Sequence, residues 1–395
     1  MTAYVSAKTE CLGAVRKIAV MTRNDQTVYA LLSVLLAVAI LSFIAYWIGL
    51  PEWRTHFFAF TMMSLILVFT LYGFVQPWLV LPFMRRPLAM PPVEGARVGV
   101  FTTFVPSGES HEMLEYTVRA LVAMRYPHDT WVLDEGNDPR VRALCERLGA
   151  RHFSRKGRAD LNTTDGWLKA RTKYGNVNAW LRETGFDAYD FIVNFDPDHV
   201  PVPWFLEREL GFFNDPRVGF VQAAQVYYNQ GSNLIGRGSA EETYGYYSSS
   251  LMASYGLNNP VAIGCHNTHR ASALRMVGGF APHDADDLLI ALNYLANGWD
   301  GIYVPEVLAV GLTPTDWPSY LIQQRRWSRS VMDIKLRFLP KLWRYIPPRA
   351  RWTALNQGLT YFIDVRRQNI WRRSERNLVE HRPRLGLILG GPLSV

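Results

Sequence analysis

Two long stretches without a charge, close to the start of the chain, constrain its fold more than any other feature. From Thr27 to Leu50 there is no Asp, Glu, Lys or Arg, and VYALLSVLLAVAILSFIAYWIGL reads as one apolar block. A second uncharged run, His56 to Phe83, contains FFAFTMMSLILVFTLYGFVQPWLVLPF. A helix needs about 20 residues to cross a hydrocarbon layer, and each run has them. A secretory signal would start closer to Met1 and end at a small-residue cleavage site, which is missing here. The pair therefore predicts a transmembrane hairpin over 27–84, preceded by a short segment, 1–26. Arg16, Lys17 and Arg23 precede the first run, Arg85 and Arg86 follow the second, and the link Pro51–Thr55 carries only Glu52 and Arg54. Lys and Arg collect on the cytoplasmic side. The expectation is a multi-pass protein of the cell (inner or plasma) membrane, with its N-terminus and everything after Phe83 cytoplasmic. Trp47, Trp53 and Trp78 fall near the span ends, where aromatic belts form.

The rest of the chain reads differently. Its 13 Trp, 19 Tyr and 20 Phe exclude a disordered chain. Three scattered cysteines exclude a disulfide scaffold and suit a reducing compartment. After the Pro-rich connector Pro87–Gly95, strand-like and helix-like pieces alternate. Strands are expected at Arg97–Phe104, Thr130–Leu133, Arg151–Ser154, Asp190–Phe195 and Val218–Val226, with a last one at Gly301–Pro305. Helices are expected at Glu112–Arg125, Val141–Leu148 and about Gly175–Glu183. This βαβαβ alternation predicts an α/β fold with a mostly parallel, helix-covered sheet over 97–315. Ligands of such sheets bind beyond the carboxyl ends of the strands.

Asp134 and the segment Phe195-Asp196-Pro197-Asp198-His199 fall at such ends. Two carboxylates in an Asp-x-Asp beside a His can hold a hard divalent cation, Mg²⁺ or Mn²⁺, and such a metal can neutralise a diphosphate. An Asp-x-Asp alone is equally a solvated turn. Lys173, ahead of a helix, can pair with a phosphate or face solvent. His283-Asp284-Ala285-Asp286-Asp287 opens the apolar helix Leu288–Leu295. Capping accounts for some of these acids, but three carboxylates in four residues exceed what capping needs, and crowding can raise one into the range of a general base. Gln323-Gln324-Arg325-Arg326-Trp327 offers donors to a diphosphate and a flat face to a sugar, on a stretch, 316–363, that also reads as interfacial helices.

The order Asp134, Asp196-x-Asp198, the acids at Asp287 and then Gln323-Gln324-Arg325-Arg326-Trp327, beside a membrane hairpin, resembles the cellulose-synthase-type branch of the family-two glycosyltransferases. That family's pattern is D, DxD, a third motif usually TED, and Q(Q/R)xRW. The resemblance covers about Val98 to Lys341 and implies a GT-A fold, a nucleotide-sugar donor, most often a UDP-sugar, and an inverting mechanism. It implies that Asp134 holds the nucleoside, Lys173 contacts the diphosphate, Asp196 faces the nucleotide and Asp198 ligates the metal. Asp287 is implied as the base that deprotonates the acceptor. Gln323, Gln324 and Arg326 are implied to cradle the diphosphate, and Trp327 to stack on the acceptor. Gly264, Cys265 and His266 fall where this group places an acceptor loop. The implied partners are the donor, a glycan or lipid-linked acceptor, membrane lipids and further synthase subunits.

Two departures from the pattern stand out. The middle Glu of TED is shortened to Asp286. After the Trp motif the uncharged runs Trp352–Ile363 and Leu385–Val395 are too short to span, and the tail 364–395 carries seven Arg against Asp364, Glu375 and Glu380. A truncation or frame-shift after about Phe362 is expected from this. The leading expectation is extension of a β-glycan. Transfer of one sugar to a lipid-linked or short acceptor, or non-catalytic binding of a nucleotide-sugar, stays open. No nucleic-acid motif accompanies the net charge of +8, so nucleic acid is not an expected partner.

Overall fold

The computed structural model describes residues 14–106 and 108–358; the Arg-rich tail and the end of the 316–363 stretch lie outside the described residues. Two helices, Arg23–Gly49 and Phe57–Val80, form from the two apolar runs, the second continued by one tight turn to Phe83. Thr22 caps the first in a capping box with Asp25. Both are long and apolar enough to cross a membrane, and most of their large apolar side chains are exposed. Two tryptophan–serine pairs bond between them. Trp47 Nε1 donates to Ser64 Oγ (2.8 Å) and Trp78 Nε1 to Ser33 Oγ (2.9 Å), so the hairpin is stitched near both ends.

The hairpin enters and leaves through a small antiparallel ribbon, β1 (Lys17–Ala19) with β2 (Arg85–Pro87). Lys17 Nζ donates to Tyr255 O (2.7 Å) and to Asn258 Oδ1 (2.5 Å). The exit packs so closely on the helix Leu251–Gly256 that a Cβ at Gly256 would lie 1.8 Å from the Phe83 carbonyl oxygen. Gly256→Ala is therefore expected to push the hairpin off its seat, at about 1–3 kcal/mol. A lower thermal midpoint in detergent checks this, and an unchanged midpoint would refute the packing.

The remaining strands are β3 (Val98–Phe104), β4 (Asp129–Asp134), β5 (Arg151–Phe153), β6 (Phe191–Phe195), β7 (Val200–Pro201), β8 (Val218–Tyr227), β9 (Asn267–Arg270) and β10 (Asp300–Gly311). They form one sheet in the order β5-β4-β3-β6-β9-β8-β10-β7. All residues of β3 and β6 are buried, as expected of parallel strands covered on both faces. Val98, Val100, Val193 and Phe195 enter one core, and Phe101 and Ile192 enter the other with Trp180.

The sheet is parallel across β5-β4-β3-β6 and β8-β10. An unexpected strand, β9, is inserted antiparallel between β6 and β8. Its sequence NTHR carries no apolar pattern; it is held by buried polar groups, with His269 bonded to Tyr294 and Asn267. β10 also outruns its expected end at Pro305, because a register shift between Val304 and Val307 accommodates the proline. Helices at Leu234–Gly245 and Leu251–Gly256 were likewise not expected from the sequence.

Candidate active site

β3, β4, β6 and β8 end along one edge, and the antiparallel β9 begins there. The segment leading into β9 is thereby laid across the end of β6. Asn194 Nδ2 holds the Gly264 carbonyl at 2.6 Å, and Asp196 follows one residue after β6. Lys173 opens the helix Lys173–Trp180, capped by Thr172, and its Nζ reaches both Asp196 Oδ1 and the Gly264 oxygen (3.2 Å). From the other side Asp287 Oδ2 accepts the Gly264 N–H at 2.5 Å, while Oδ1 accepts the Leu288 N–H at 2.7 Å. Gly264 thus links Asp287 to Lys173 and, through the ammonium, to Asp196, residues that lie far apart in sequence.

The charges of this cluster oppose one another. Burial acts to strip Lys173 of its proton, but Asp196 and Asp286 outweigh it and hold the ammonium. Burial likewise opposes ionisation of Asp196, and Lys173, then His199, keep it below the usual carboxylate value. Asp286 is pushed up to about 7, by burial first and the charge of Asp287 second. Burial also raises Asp287, against the pull of the two backbone N–H groups it accepts.

A carboxylate absent from the sequence expectations joins the cluster. Glu109, in the loop after β3, accepts the Val105 N–H at 2.6 Å and is pushed up to about 7, by burial and then, against that backbone bond, by Asp196 and Asp198. Nothing local marks it; only the return of β3 to the shared edge brings it there.

Asp196, Asp198 and His199 offer ligand atoms within 4.8 Å of one another. His199 is buried, with Nδ1 2.8 Å from Asp198 Oδ1 and Nε2 2.8 Å from the Gln225 amide. Two carboxylates and an imidazole, part-open to the cleft, fit a hard divalent cation.

Other expected residues sit differently. Asp134 is fully buried, and its oxygens accept the N–H groups of Gly136 (2.8 Å) and Asp138 (2.6 Å), so it shapes its own loop. Cys265 and His266, expected to face an acceptor, are turned inward at 2% and 0% exposure, and only the Gly264 backbone meets the cleft. The helix Trp317–Asp333 carries the QQRRW segment. Its Gln324 is buried and donates to Glu242 Oε2 (3.2 Å), a partner of Tyr320 too, instead of facing the cleft. Arg326 is exposed on the same helix, near enough for its charge to favour the ionised form of Asp196. Gln323 and Trp327 are half-buried on the same helix. The far end of that helix is tied to the acidic loop through His283, whose Nε2 lies 3.1 Å from Asp333 Oδ2.

Residues 191–366 match the family described as Glycosyl transferase family group 2. Cellulose synthase 2 of Novacetimonas hansenii is 27% identical over 263 residues, covering 64% of this chain and 16% of that protein. The cellulose synthase catalytic subunit (UDP-forming) of Xanthomonas axonopodis pv. citri is 26% identical over 303 residues, covering 72% and 38%. A probable glucomannan 4-beta-mannosyltransferase of Oryza sativa subsp. japonica is 26% identical, covering 58% and 42%. The chain thus spans less than half the length of these relatives. Among solved structures, the mannosyltransferase PcManGT of Pyrobaculum calidifontis, in complex with GDP-Man and Mn²⁺, superposes with a TM-score of 0.56 at 16% identity, covering 81% of this chain and 92% of that one. The mixed, mostly parallel sheet and this likeness make the fold GT-A-like.

Proposed function

We propose, from the premise that this chain belongs with the cellulose-synthase-like family-two glycosyltransferases, that it moves a sugar from a nucleotide-sugar, a UDP-sugar foremost, to a growing β-glycan at a membrane surface. The observation that carries this reading is the convergence of Lys173, with Asp196 bonded to it, and Asp287 on Gly264, at the carboxyl edge of the sheet. Lys173, held cationic, and Arg326 would meet the donor diphosphate. Asp198, Asp196 and His199 would hold Mg²⁺ or Mn²⁺, which when bound neutralises charge on the departing nucleoside diphosphate. Asp287 would accept the proton of the attacking acceptor hydroxyl, with inversion at the anomeric carbon. The Asp134 loop would border the nucleoside, Gln323 would assist at the diphosphate and Trp327 would stack beneath the acceptor. The apolar hairpin would anchor this domain in the membrane, with the basic ends on the cytoplasmic side.

Membranes containing the full chain, given labelled UDP-glucose, UDP-N-acetylglucosamine or GDP-mannose with Mg²⁺ or Mn²⁺, test the proposal. One donor is expected to be consumed, with label appearing in a polymer cut by a β-glycanase. Label confined to a single added sugar would instead support one-step transfer, and no donor consumed would sink the enzymatic reading. Asp198→Asn is expected to weaken Mn²⁺-dependent binding of the nucleoside diphosphate at least about tenfold while the thermal midpoint stays close to wild type. Calorimetric titration of UDP and of GDP, with and without Mn²⁺, reads this out.

A further inference from the structure

We infer that His199, Cys265 and His266 form a second, softer metal site behind the carboxylates, taking Zn²⁺ or another thiolate-seeking divalent ion. One ligand atom from each of the three lies within 4.8 Å of the others, and all three side chains are buried. Cys265 forms no disulfide, and its thiol meets the His199 ring. Neither ring nitrogen of His266 makes a hydrogen bond of good geometry, at 0% exposure, although the Ala224 backbone lies beside the ring. A buried imidazole so poorly satisfied is costly, and an ion relieves it.

The backbone fixes this ring in place at a further cost. His266 adopts φ +57°, a left-handed conformation uncommon outside glycine. Its N–H donates to Asn194 O (3.0 Å) and its carbonyl accepts from Ala223 N–H (2.9 Å). The Cys265 carbonyl is held by Gln222 Nε2 at 2.9 Å. The segment is thus clamped between β6 and β8, so both side chains are presented inward.

The donor set decides which ion fits. One thiolate and two imidazoles select Zn²⁺ over Mg²⁺, whereas the carboxylates of Asp196 and Asp198 select the reverse. On binding, Cys265 Sγ bonds to the ion and its proton leaves to solvent. His199 belongs to both sets. Its Nδ1 contacts Asp198 and its Nε2 contacts Gln225, so coordination through either nitrogen replaces one of these contacts. Occupancy of the soft site and of the hard site are therefore linked, and by reciprocity each shifts the affinity of the other.

The test uses the full chain in detergent, reduced, with excess Mg²⁺ present and Cys11 and Cys145 both replaced by Ser. One equivalent of Zn²⁺ is expected to survive desalting, and Co²⁺ in its place is expected to give a near-ultraviolet thiolate-to-cobalt band. Cys265→Ser should abolish the band and weaken Zn²⁺ at least about tenfold. His266→Asn, which tolerates the left-handed backbone, should weaken Zn²⁺ similarly. Asp198→Asn should leave the band in place. No retained Zn²⁺ and no cobalt band in the parent chain overturn the inference without recourse to any variant. Zn²⁺ kept by Cys265→Ser but lost from Asp198→Asn also overturns it, because the ion would then sit on the carboxylates.

Discussion

Asp287→Asn is expected to lower the rate of sugar transfer by about 10² to 10⁴-fold, the usual contribution of a general base, with little change in donor affinity. The split matters because Asp287, beside the role proposed for it, holds two backbone groups in the structure. Its oxygens accept the N–H groups of Gly264 and of Leu288, so it also seats the peptide that Lys173 grips. Asparagine has one oxygen and satisfies only one of the two. A buried N–H left unpaired costs about 1–3 kcal/mol, so the variant is also expected to melt earlier. Nucleoside diphosphate binding, measured below that transition, separates the roles. Binding kept near wild type with transfer lost assigns the proton to Asp287. Transfer near the wild-type rate would exclude it as the base.

The same carboxyls give the pH dependence its sign. Burial raises Asp287, and burial followed by the charge of Asp287 pushes Asp286 up to about 7. The charge of Asp287 acts on its neighbour Asp286, so the observed limb is expected to belong to the pair. A base works only when deprotonated, so transfer should fall as pH drops through that limb. Stability should run the other way. An acid raised on folding binds its proton more tightly in the native state between its ordinary value, near 4, and about 7. Stability therefore declines as pH rises across that window. Asp286→Asn removes the neighbouring charge and should move the acidic limb of the rate profile to lower pH. A limb that does not move would show that the two carboxyls are not coupled.

How much of this could be read in the chain depends on how local each signal is. The hairpin is legible because each long apolar run signals a helix by itself, and the structure forms a helix over both, the first starting at Arg23, ahead of its run. Asp196 and Asp198 are legible because a buried apolar strand ends abruptly in acids. β9 was not, since four polar residues held by His269 and Asn267 have no period to detect. Its omission hid two consequences. It brings Gly264 to the centre of the cluster, and it turns Cys265 and His266 away from the cleft they were expected to line. Gln324 shows the same limit: helical spacing places it on the motif's helix, but only the packing of Glu242 decides which way it faces. Glu109 enters through a loop that sequence spacing cannot aim.

Arg155→Lys is the second change expected to have a large effect, at a residue no motif marks. The side chain is fully buried and grips Glu135 with two parallel bonds, Nε to Oε2 at 3.0 Å and Nη2 to Oε1 at 2.9 Å. Its Nη1 donates to the carbonyls of Leu161 (3.1 Å) and Leu168 (3.0 Å), and Nη2 to those of Lys169 (3.1 Å) and Thr172 (3.3 Å). One guanidinium therefore ties down the loop that ends at Thr172, the cap of the helix bearing Lys173. An ammonium has three donors and no planar fork, so it cannot replace these six contacts. Each buried carbonyl left without its donor costs about 1–3 kcal/mol, and several such losses take a large share of the roughly 5–15 kcal/mol that stabilises a domain. The thermal midpoint should drop sharply. Below it, nucleoside diphosphate affinity should also fall, because Lys173 loses the fixed start of its helix. Glu135→Gln keeps the shape but removes the charge, and combining it with Arg155→Lys should cost less than the sum of the two single changes, since both act on one pair. Full additivity, or a wild-type midpoint for Arg155→Lys, would mean that the loop holds its form without this residue, and that the placement of Lys173 comes from the helix cap alone.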